Sequence, residues 1–571
     1  MKKKLLSLLI VGVAVAGIVY AKRAERFGLG GPGGPDRTER KIVEEYDADE
    51  SGWLDANERQ LARKAIASNQ GRRAGLGGGP KGPGHGEATL PGTPGPKVAV
   101  SDVDTYPDHS LYDTSILRTV FLQFGNPDWE SELEDFYSTD VDVPATMILD
   151  GKTYENVGVH FRGASSFDHV PRGGKRSVNI SLDMIHGDQN IDGYKTLNLL
   201  NCHCDPSMMS SVVYSYIARQ YIPAPKANFV HLVINGESWG LYNNVQQFDK
   251  KFLEENYNGS KGTRWKVSGN PQADGGLRYL GDDLEPYKER FEMKSNDGKK
   301  AWTALVQLCK TLNQTPTEQL VPALEPILDI DETLKFLALD VTLANNDGYW
   351  TRASDYNLFR DSEGRFHVLP HDMNEAFALS GPGPGGPGPG GPRPGGPGPG
   401  GPGPGGPGPG GPGPGDVGGR RGPGDGPSGP GGPDHKPGLI GDLFGSLIGG
   451  LGDRPLRAQV DTDPLVNIKN DRMPLRSRLL AVPELQKRYL QYVQQIASES
   501  VAWEKLGPVV EGYRQLVDPL VKADTRKLSS YEDFQAAIDP EKPSADQPMS
   551  LRKFAEERPA FLISAIDKAE H

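Results

Sequence analysis

Residues 345–374 read NNDGYWTRASDYNLFRDSEGRFHVLPHDMN, and they carry the most specific chemical signal in the chain. The stretch places Asp347, Asn357 and Asp372 among apolar residues on short elements. Aspartate and asparagine oxygens in such a setting are the ligands that hold Mg²⁺ beside a phosphate. In a phosphate-transfer site, one aspartate orients the attacking hydroxyl, while an asparagine and a second aspartate hold the metal. The pattern therefore predicts a metal site that handles phosphate groups.

The composition limits the class of partner. The chain has 571 residues, with 63 Lys and Arg against 75 Asp and Glu, which gives a net charge of −12. Nonspecific nucleic-acid binding needs a basic face, so nucleic acid is not an expected partner. The hydrophobic content of 36% is low because 73 glycines and 49 prolines are concentrated in linkers. The remaining sequence is long enough to bury a sizeable core.

The N-terminus has the pattern of an export signal. Three lysines at positions 2–4 precede an apolar run at 5–21, and Lys22 and Arg23 follow it. A basic start followed by an apolar run is typical of exported proteins. The run is near the lower length limit for crossing a bilayer, so residues 1–21 fit either a cleaved signal peptide or a retained membrane anchor. We therefore expect an exported protein that is secreted, periplasmic or at the cell surface.

Three cysteines, Cys202, Cys204 and Cys309, leave two alternatives open. The Cys-His-Cys run lacks the second pair that a structural zinc site needs, which favours ordinary core or loop cysteines. A disulfide from Cys309 to one of the other two is also compatible with an exported protein.

Shifts in composition divide the chain into segments. The tract that begins at residue 380 repeats Gly-Pro-Gly-Pro-Gly-Gly, lacks the strict Gly-X-Y register of collagen and cannot bury a core, so we interpret it as a flexible insertion. The expected segments are a signal peptide or membrane anchor at 1–21, a calcium-binding segment at 37–69, a Gly/Pro linker at 70–97, a main domain at 98–379, the Gly-Pro insertion at 380–436 and a helical C-terminal part at 437–571.

Hydrophobic periodicity predicts strands in the first half of the main domain and helices after it. Asp150-Gly151 and Asn235-Gly236 each join two alternating runs, which is typical of β-hairpins. A further hairpin is expected at 356–369. Helices are expected at 206–220, 301–312, 330–344, 484–498, 502–521 and 551–566. Strands followed by helices indicate an α+β fold.

Residues 47–58 read DADESGWLDANE, which matches the spacing of a calcium-binding loop. The ligand positions are filled by Asp47, Asp49, Ser51, Asp55, Glu58 and the carbonyl of Trp53. Gly52 supplies the sharp turn, and Leu54 is expected to pair this loop with a second one. The segment resembles a single small α-helical EF-hand, with a solvated acidic turn as the alternative. It has no partner hand in the chain, so we expect Ca²⁺ binding to be weak or to depend on pairing between chains.

Two segments before residues 345–374 offer groups for phosphate. A strand at 157–161 runs into Arg162 and a turn of small residues that contains Ser165 and Ser166, whose amides and hydroxyls suit a phosphate. Lys175 stands at the start of the next strand, where a lysine can reach nucleotide phosphates. Each signal is weak alone, since an Arg-Gly-x-Ser-Ser turn is more often only a turn.

Together these residues resemble the spore coat protein H (CotH) kinase family, over roughly residues 98–378. The segments that carry the resemblance are 161–166 (FRGASS), 194–199 (YKTLNL), 234–242 (INGESWGLY), 345–348 (NNDG) and 370–374 (PHDMN). The resemblance implies an atypical protein kinase of the secretory pathway with a two-lobed core. It also implies transfer of the γ-phosphate of ATP to hydroxyls of exported proteins, with Mg²⁺ or Mn²⁺ as the metal and an unknown protein as substrate.

The same resemblance assigns roles to individual residues. It implies that Asp347 is the catalytic aspartate, that Asp372 binds metal and that Asn357 stands at a metal-binding asparagine. Lys175 is the implied phosphate lysine, and Lys266 is the competing choice.

Besides the spacing from Asp347 to Asn357, which is long for a compact catalytic loop, the chain departs from the family pattern at two places. The family commonly has Trp-Asp-x-Asp where this chain has HDMN at 371–374, so Asn374 would be a neutral metal ligand. A glutamate often found after the GLY motif is replaced by VQQ at 245–247. These departures favour an alternative, a non-catalytic surface or coat assembly protein that binds calcium. A third hypothesis makes calcium binding at 47–58 the main role.

Overall fold

The computed structural model describes residues 39–75, 93–267, 269, 274–295, 298–379, 459–539 and 549–570. The expected signal or anchor segment at 1–21 and the Gly-Pro insertion at 380–436 lie outside these residues. Among the described helices, none combines the length and the apolar character that crossing a membrane requires.

The described strands form two sheets. They are β1 (Arg118–Gln123), β2 (Val143–Leu149), β3 (Lys152–Phe161), β4 (Val178–Ser181), β5 (Thr196–Leu200), β6 (Ala227–Ile234), β7 (Glu237–Val245), β8 (Gly262–Val267), β9 (Glu292–Met293), β10 (Tyr356–Asp361) and β11 (Phe366–Pro370). The first seven close into a barrel in the order β1-β2-β3-β4-β5-β7-β6, in which β1 and β6 are parallel and the other neighbours antiparallel. The second sheet is antiparallel, in the order β11-β10-β8-β9.

Helices precede, connect and follow the strands. They are α1 (Val43–Tyr46), α2 (Ala56–Gly75), α3 (Trp129–Asp135), α4 (Ser165–Asp168), α5 (Ser210–Ala218), α6 (Lys250–Asn256), α7 (Glu285–Lys288), α8 (Gly298–Gln314), α9 (Thr317–Leu324), α10 (Ile330–Thr342), α11 (Tyr349–Arg352), α12 (Pro474–Ser477), α13 (Pro483–Ile496), α14 (Trp503–Ala523), α15 (Tyr531–Ile538) and α16 (Leu551–Glu570). The six helices predicted from periodicity correspond to α5, α8, α10, α13, α14 and α16, with ends that differ by a few residues.

Both predicted two-residue hairpin turns are present. Asp150 and Gly151 join β2 to β3 with φ values of 50° and 76°, and Asn235 and Gly236 join β6 to β7 with φ values of 49° and 74°. Positive φ at both central residues defines the type I′ turn, whose twist matches that of the flanking strands. Local sequence therefore determines these two connections of the barrel.

Two large hydrophobic clusters form the interior. One includes the barrel residues Val120, Leu197 and Leu232, none of which is exposed. The other joins α10, α13, α14 and α16 to the inner face of the small sheet through residues such as Leu337 and Leu358. The chain is therefore a mixed α and β fold, as predicted in its coarse form, while the two-lobed, kinase-like arrangement stays a prediction.

The small sheet positions two of the predicted site residues. Asn357 on β10 lies opposite Lys266 on β8 and opposite Leu369 on β11. Side chains alternate between the two faces of a strand, so these three share one face. Leu358 and Trp265 occupy the other face and pack into the helical core. The sheet thus presents Asn357 and Lys266 on the face away from that core.

All three cysteines are free thiols, so the disulfide that the sequence left open does not form. Cys309 is buried on α8. Cys202 and Cys204 lie between β5 and α5, where both have positive φ.

Candidate active site and calcium loop

The loop that carries Asp347 is fixed by the chain beneath it. After α10 the loop folds back over the buried carboxylate of Asp340. Gly348 allows this approach, because a Cβ there would lie 2.0 Å from Asp340 Oδ1. Nε1 of Trp350 donates to the carbonyl of Asn345 at 2.8 Å and closes the loop. These contacts hold Asp347 in a defined position.

Asp347 is 8% exposed and forms an ion pair with Arg352 of α11. Nη2 of Arg352 also lies 3.5 Å from Glu375 Oε2. Burial, followed by the negative charge of Glu375, raises the pKa of Asp347 to about 9, although Arg352 acts in the opposite direction. A carboxyl with a raised pKa holds a proton more tightly than an ordinary aspartate does, so its ionised form is the stronger base.

Asp355 and Asp372 extend this acidic cluster. The charges of both contribute to the raised pKa of Asp347. Burial, followed by the charge of Asp372, raises the pKa of Asp355 to about 8. Nδ2 of Asn345 donates to the carbonyl of Asp372 at 3.0 Å, which ties the two loops together. The structure therefore brings the predicted Asp347 and Asp372 into one site.

Arg162 and Lys266 place positive charge beside these acids. Burial, followed by the charge of Arg162, lowers the pKa of Lys266. Burial also lowers the pKa of Arg162, and the charge of Asp372 opposes that effect. The pKa of His371 is lowered by burial and then by the charges of Lys266 and Arg162. Two cations next to a carboxylate cluster form an arrangement suited to a phosphate and its metal.

Lys175, the other candidate for the phosphate lysine, has a different environment. Its side chain is 1% exposed, and Nζ lies 2.8 Å from Oδ2 of Asp524, the residue that follows α14. Nζ also lies 4.9 Å from the centre of the Tyr242 ring. Gly240 makes room for the carboxylate, because a Cβ there would lie 1.9 Å from Asp524 Oδ2. Lys175 is therefore held in a buried ion pair, whereas Lys266 lies beside the acidic cluster.

The turn of small residues follows Arg162 directly. Gly163 has a φ of 95°, and Oγ of Ser166 fills the space above it, 2.0 Å from where a Cβ would be. Ser165 begins α4 and is exposed. Nδ2 of Asn201 donates to the carbonyl of Ser166 at 3.2 Å and holds the turn. The turn thus leaves Ser165 accessible close to Arg162 in the chain.

Asn357 and Asn374, two of the predicted metal ligands, each have a buried amide atom without a protein partner. Nδ2 of Asn374 donates to the carbonyl of His203 at 3.1 Å, while Oδ1 of Asn374 is buried and unpaired. Asn357 is 2% exposed, and its Nδ2 is unpaired. An unpaired amide oxygen two residues from Asp372 fits a divalent cation, since carboxylate and amide oxygens are ligands of Mg²⁺ and Mn²⁺. The residues present therefore suit a metal, with Asp372, Asn374 and Asp355 as candidate ligands.

Arg352, Asp355 and Glu375 are not among the site residues predicted from the sequence. Asp355 stands just before β10 with a φ of 57°, so the alternation of a strand does not predict where its side chain lies. Arg352 and Glu375 join the site through their ion pairs, which depend on how the two loops meet. A single sequence does not reveal such contacts.

The predicted calcium loop folds around converging oxygens. Ligand atoms of Asp47, Asp49 and Glu58 all lie within 4.8 Å of one another, one of two such groups in the described part of the chain. Asp47 accepts a hydrogen bond of 2.7 Å from the N–H of Gly52, whose φ is 85°. Glu58 accepts from the N–H of Ala48 at 2.7 Å. The loop backbone thus holds these carboxylates close together.

The other predicted calcium ligands belong to the same turn. The hydroxyl of Ser51 donates to the carbonyl of Trp53 at 2.8 Å. Oδ1 of Asp55 accepts from the N–H of Glu58 at 2.9 Å and caps α2. All six predicted ligands therefore lie in one loop, while the EF-hand identity and calcium binding stay predictions.

Leu54 has a different role from the predicted one. It is 1% exposed and packs into the barrel cluster, so it is not available to a second calcium loop. Beside it, Nε of Arg59 lies 2.8 Å from Glu132 of α3, and Nε of Arg63 lies 2.8 Å from Asp135. The expected pairing through Leu54 is therefore corrected, because the barrel already covers the apolar side of the loop.

Comparison with known proteins gives one family match. The family described as CotH kinase protein matches residues 159–388 and 458–562, which include Arg162, Lys266, Asp347 and Asp372. The two matched stretches lie on either side of the Gly-Pro insertion.

Three characterised relatives are similar to this chain. Invasin CotH3 of Rhizopus delemar is 22% identical over 283 residues, which are 47% of this chain and 45% of the invasin. Inner spore coat protein H of Bacillus subtilis is 24% identical over 270 residues, which are 45% of this chain and 68% of the coat protein. Invasin CotH2 of Rhizopus delemar is 22% identical over 293 residues, 47% of this chain and 46% of that invasin. The similarity thus spans less than half the length of the two invasins.

Proposed function

Because the chain belongs to the CotH kinase protein family, we propose that it is an exported, metal-dependent protein kinase that transfers the γ-phosphate of ATP to hydroxyl side chains of extracytoplasmic proteins. The observation that carries this proposal is the placement of Asp347. It is a buried carboxylate in electrostatic contact with Asp355 and Asp372, and Lys266 and Arg162 act on those two acids. An acceptor for a proton, ligands for a cation and counter-charges for phosphate are thus combined in one site.

The proposed reaction moves one phosphoryl group and one proton. The acceptor oxygen forms a bond to the γ-phosphorus, the bond from that phosphorus to the bridging oxygen breaks, and ADP leaves. Asp347 receives the proton of the hydroxyl, and Arg162 and Lys266 offset negative charge on the phosphates. A divalent cation held by Asp372 and Asn374 would supply further neutralisation of the phosphate charge.

The test is phosphate transfer from γ-labelled ATP in the presence of Mg²⁺ or Mn²⁺. Candidate exported proteins and serine-rich peptides serve as acceptors, and labelling of the chain itself is scored as well. Asp347→Asn is expected to lower transfer at least a hundredfold, which is roughly the loss typical of a positioned acid–base group. Asp188→Asn, an exposed change between β4 and β5, serves as the control. Equal labelling by the two variants would refute the role of Asp347.

The calcium loop is proposed as a second functional site. We infer that Asp47, Asp49, Asp55 and Glu58 bind Ca²⁺ with the carbonyl of Trp53 and with Ser51, because all six stand at the required spacing in one loop and the oxygens of Asp47, Asp49 and Glu58 converge. We also infer export, from the basic and apolar pattern of residues 1–23.

A non-catalytic surface or coat assembly protein is the second candidate function. One observation favours it. Gln246 lies near the position where a glutamate is often found. Its side-chain amide makes two structural hydrogen bonds: Nε2 donates to Glu255 at 2.9 Å, and Oε1 accepts from the N–H of Lys226 at 3.1 Å. Thermal unfolding with millimolar ATP and Mg²⁺ separates the candidates. A raised midpoint supports the kinase, and an unchanged midpoint supports the assembly protein.

A further inference from the structure

A second cluster of metal-ligating side chains lies where α10 begins. Ligand atoms of Asp329, Glu332 and His367 all lie within 4.8 Å of one another. Asp329 is the N-cap of α10 and Glu332 lies in its first turn, while His367 lies on β11. The backbone joins these elements as well, because the N–H of Asp329 donates to the carbonyl of Phe366 at 2.9 Å. The cluster is therefore built on a fixed junction of helix and strand.

Both ring nitrogens of His367 face carboxylates. Its Nε2 lies 3.2 Å from Oδ2 of Asp361, and its Nδ1 lies 3.0 Å from Oε2 of Glu332. Histidine ligands of metals usually direct the second ring nitrogen to a carboxylate, which fixes the tautomer and the ring plane. Asp361 occupies that place, so Nδ1 is the nitrogen that faces Glu332 and Asp329.

The hydroxyl of Tyr257 adds a further supporting contact. It donates to Oε1 of Glu332 at 2.9 Å, which leaves Oε2 directed at the imidazole. The Tyr257 ring also packs on His367, with 4.6 Å between the ring centres. The side chains of His367 and Glu332 are only 8% and 11% exposed. The proposed ligands are thus oriented by neighbours that do not themselves bind the ion.

The charge of this cluster is not balanced by basic side chains. It contains three carboxylates, those of Asp329, Glu332 and Asp361, and within the described residues no lysine or arginine forms an ion pair with any of them. One imidazole supplies at most one positive charge. A divalent cation would neutralise the remainder, which is costly to leave in a partly buried place.

We infer that Asp329, Glu332 and His367 form a binding site for a zinc-class divalent ion, separate from the proposed active site and from the calcium loop. A nitrogen ligand with two carboxylates suits Zn²⁺, which commonly takes three protein ligands and a water, whereas Ca²⁺ and Mg²⁺ prefer oxygen alone. The ion fastens the start of α10 to β11. α10 and β11 are the elements that lead to Asp347 and Asp372, so the site supports the position of both loops.

The test measures zinc binding to the full chain after treatment with a chelator. ZnCl₂ is titrated in competition with a chromophoric chelator, with millimolar Mg²⁺ and Ca²⁺ present to occupy the oxygen-lined sites. The unchanged chain is expected to bind one more zinc equivalent than Asp329→Asn and to show a higher thermal midpoint with zinc than without it. Asparagine caps a helix about as well as aspartate does, so this variant keeps the fold while it loses a charged ligand.

Two further variants make the result decisive. Asp361→Asn leaves the three ligands in place and is expected to bind zinc about 10- to 100-fold more weakly, as changes to a supporting carboxylate do. Glu325→Gln, an exposed change just before α10, is the matched control and is expected to behave as the unchanged chain. The inference fails if Asp329→Asn and Asp361→Asn bind zinc with the same stoichiometry and affinity as Glu325→Gln. It also fails if zinc does not change the thermal midpoint of the unchanged chain.

Discussion

At the scale of single residues, Arg352 holds the carboxylate on which the proposed chemistry depends. It pairs with Asp347 and reaches Glu375, and its positive charge lowers a pKa that burial otherwise raises. A general base must be ionised before it accepts a proton. Removing Arg352 therefore raises the pKa of Asp347 and lowers the fraction of base at neutral pH.

We accordingly expect Arg352→Gln to lose about tenfold or more in kcat/KM at pH 7 and to recover part of the loss as the pH rises. The measurement is the pH profile of phosphate transfer, whose acidic limb is expected to move to higher pH. Arg365→Gln, an exposed change in the turn before β11, is the control. A uniform loss at every pH, without a moved limb, would show that Arg352 acts only on structure.

Lys266 and Lys175 are expected to respond differently to the same substitution. Lys266→Met removes a charge beside the acidic cluster, so nucleotide affinity is expected to fall about tenfold or more with little change in the thermal midpoint. Lys175→Met leaves Asp524 buried without its partner, so the free energy of unfolding is expected to fall by about 3–5 kcal/mol. Nucleotide titration and denaturant unfolding of both variants check this pair. The assignment is wrong if Lys175→Met is stable but does not bind nucleotide.

The sequence identified part of this site and missed the rest for physical reasons. Asp347 and Asp372 lie in one short stretch, so their proximity was a local inference, and their charges do act on each other. Lys175 was the first choice for the phosphate lysine because it stands at the start of a predicted strand, and Lys266 was the competing choice. The burial of Lys175 against Asp524, 349 positions away in the chain, is a tertiary contact that no local pattern contains.

At the scale of elements, turns with strict backbone demands were predictable, whereas contacts between elements were not. The Asp-Gly and Asn-Gly turns require positive φ at two successive residues, and few other dipeptides supply it. The environment of Leu54 was mispredicted because a calcium loop usually pairs with another loop. Here the barrel and α3 cover it, with Arg59 and Glu132 paired at the junction.

This packing leads to a prediction about calcium. Because α2 is held against α3 and the barrel core, Ca²⁺ bound between Asp47 and Glu58 is expected to raise the thermal midpoint of the whole domain. Glu58→Gln is expected to weaken binding at least tenfold and to remove that rise, since Glu58 closes the loop with both oxygens. Calorimetric titration and thermal unfolding with and without CaCl₂ check it. Glu50→Gln, an exposed change in the same loop, should leave both results unaltered.

At the scale of the whole molecule, Arg558 joins parts of the chain that lie on either side of the Gly-Pro insertion. It is fully buried on α16, and its guanidinium donates to the carbonyls of Val341 at 2.8 Å and Val460 at 2.9 Å. On the same helix Phe554 packs against Phe377, with 5.5 Å between the ring centres. The residues that flank the insertion are therefore both fastened to α16.

Replacing the Gly-Pro insertion at 380–436 with Gly-Ser linkers of different length is therefore expected to change stability only slightly. The cost of closing a loop grows by about 0.6 kcal/mol for each doubling of its length. Denaturant unfolding of a linker series checks this expectation. In the Arg558→Met background, the free energy of unfolding is expected to depend far more strongly on linker length, since Arg558 no longer holds the residues on either side of the insertion. A steep loss of stability with linker length in the chain that keeps Arg558 would contradict this expectation.

Because both sides of the insertion are held by α16, the insertion site has a practical use. A folded protein or an epitope, such as a fluorescent reporter, is expected to be tolerated within the Gly-Pro insertion at 380–436 while the rest of the molecule keeps its structure. The same tolerance would let related genes expand, shrink or exchange this stretch by recombination without disturbing the chemistry next to it.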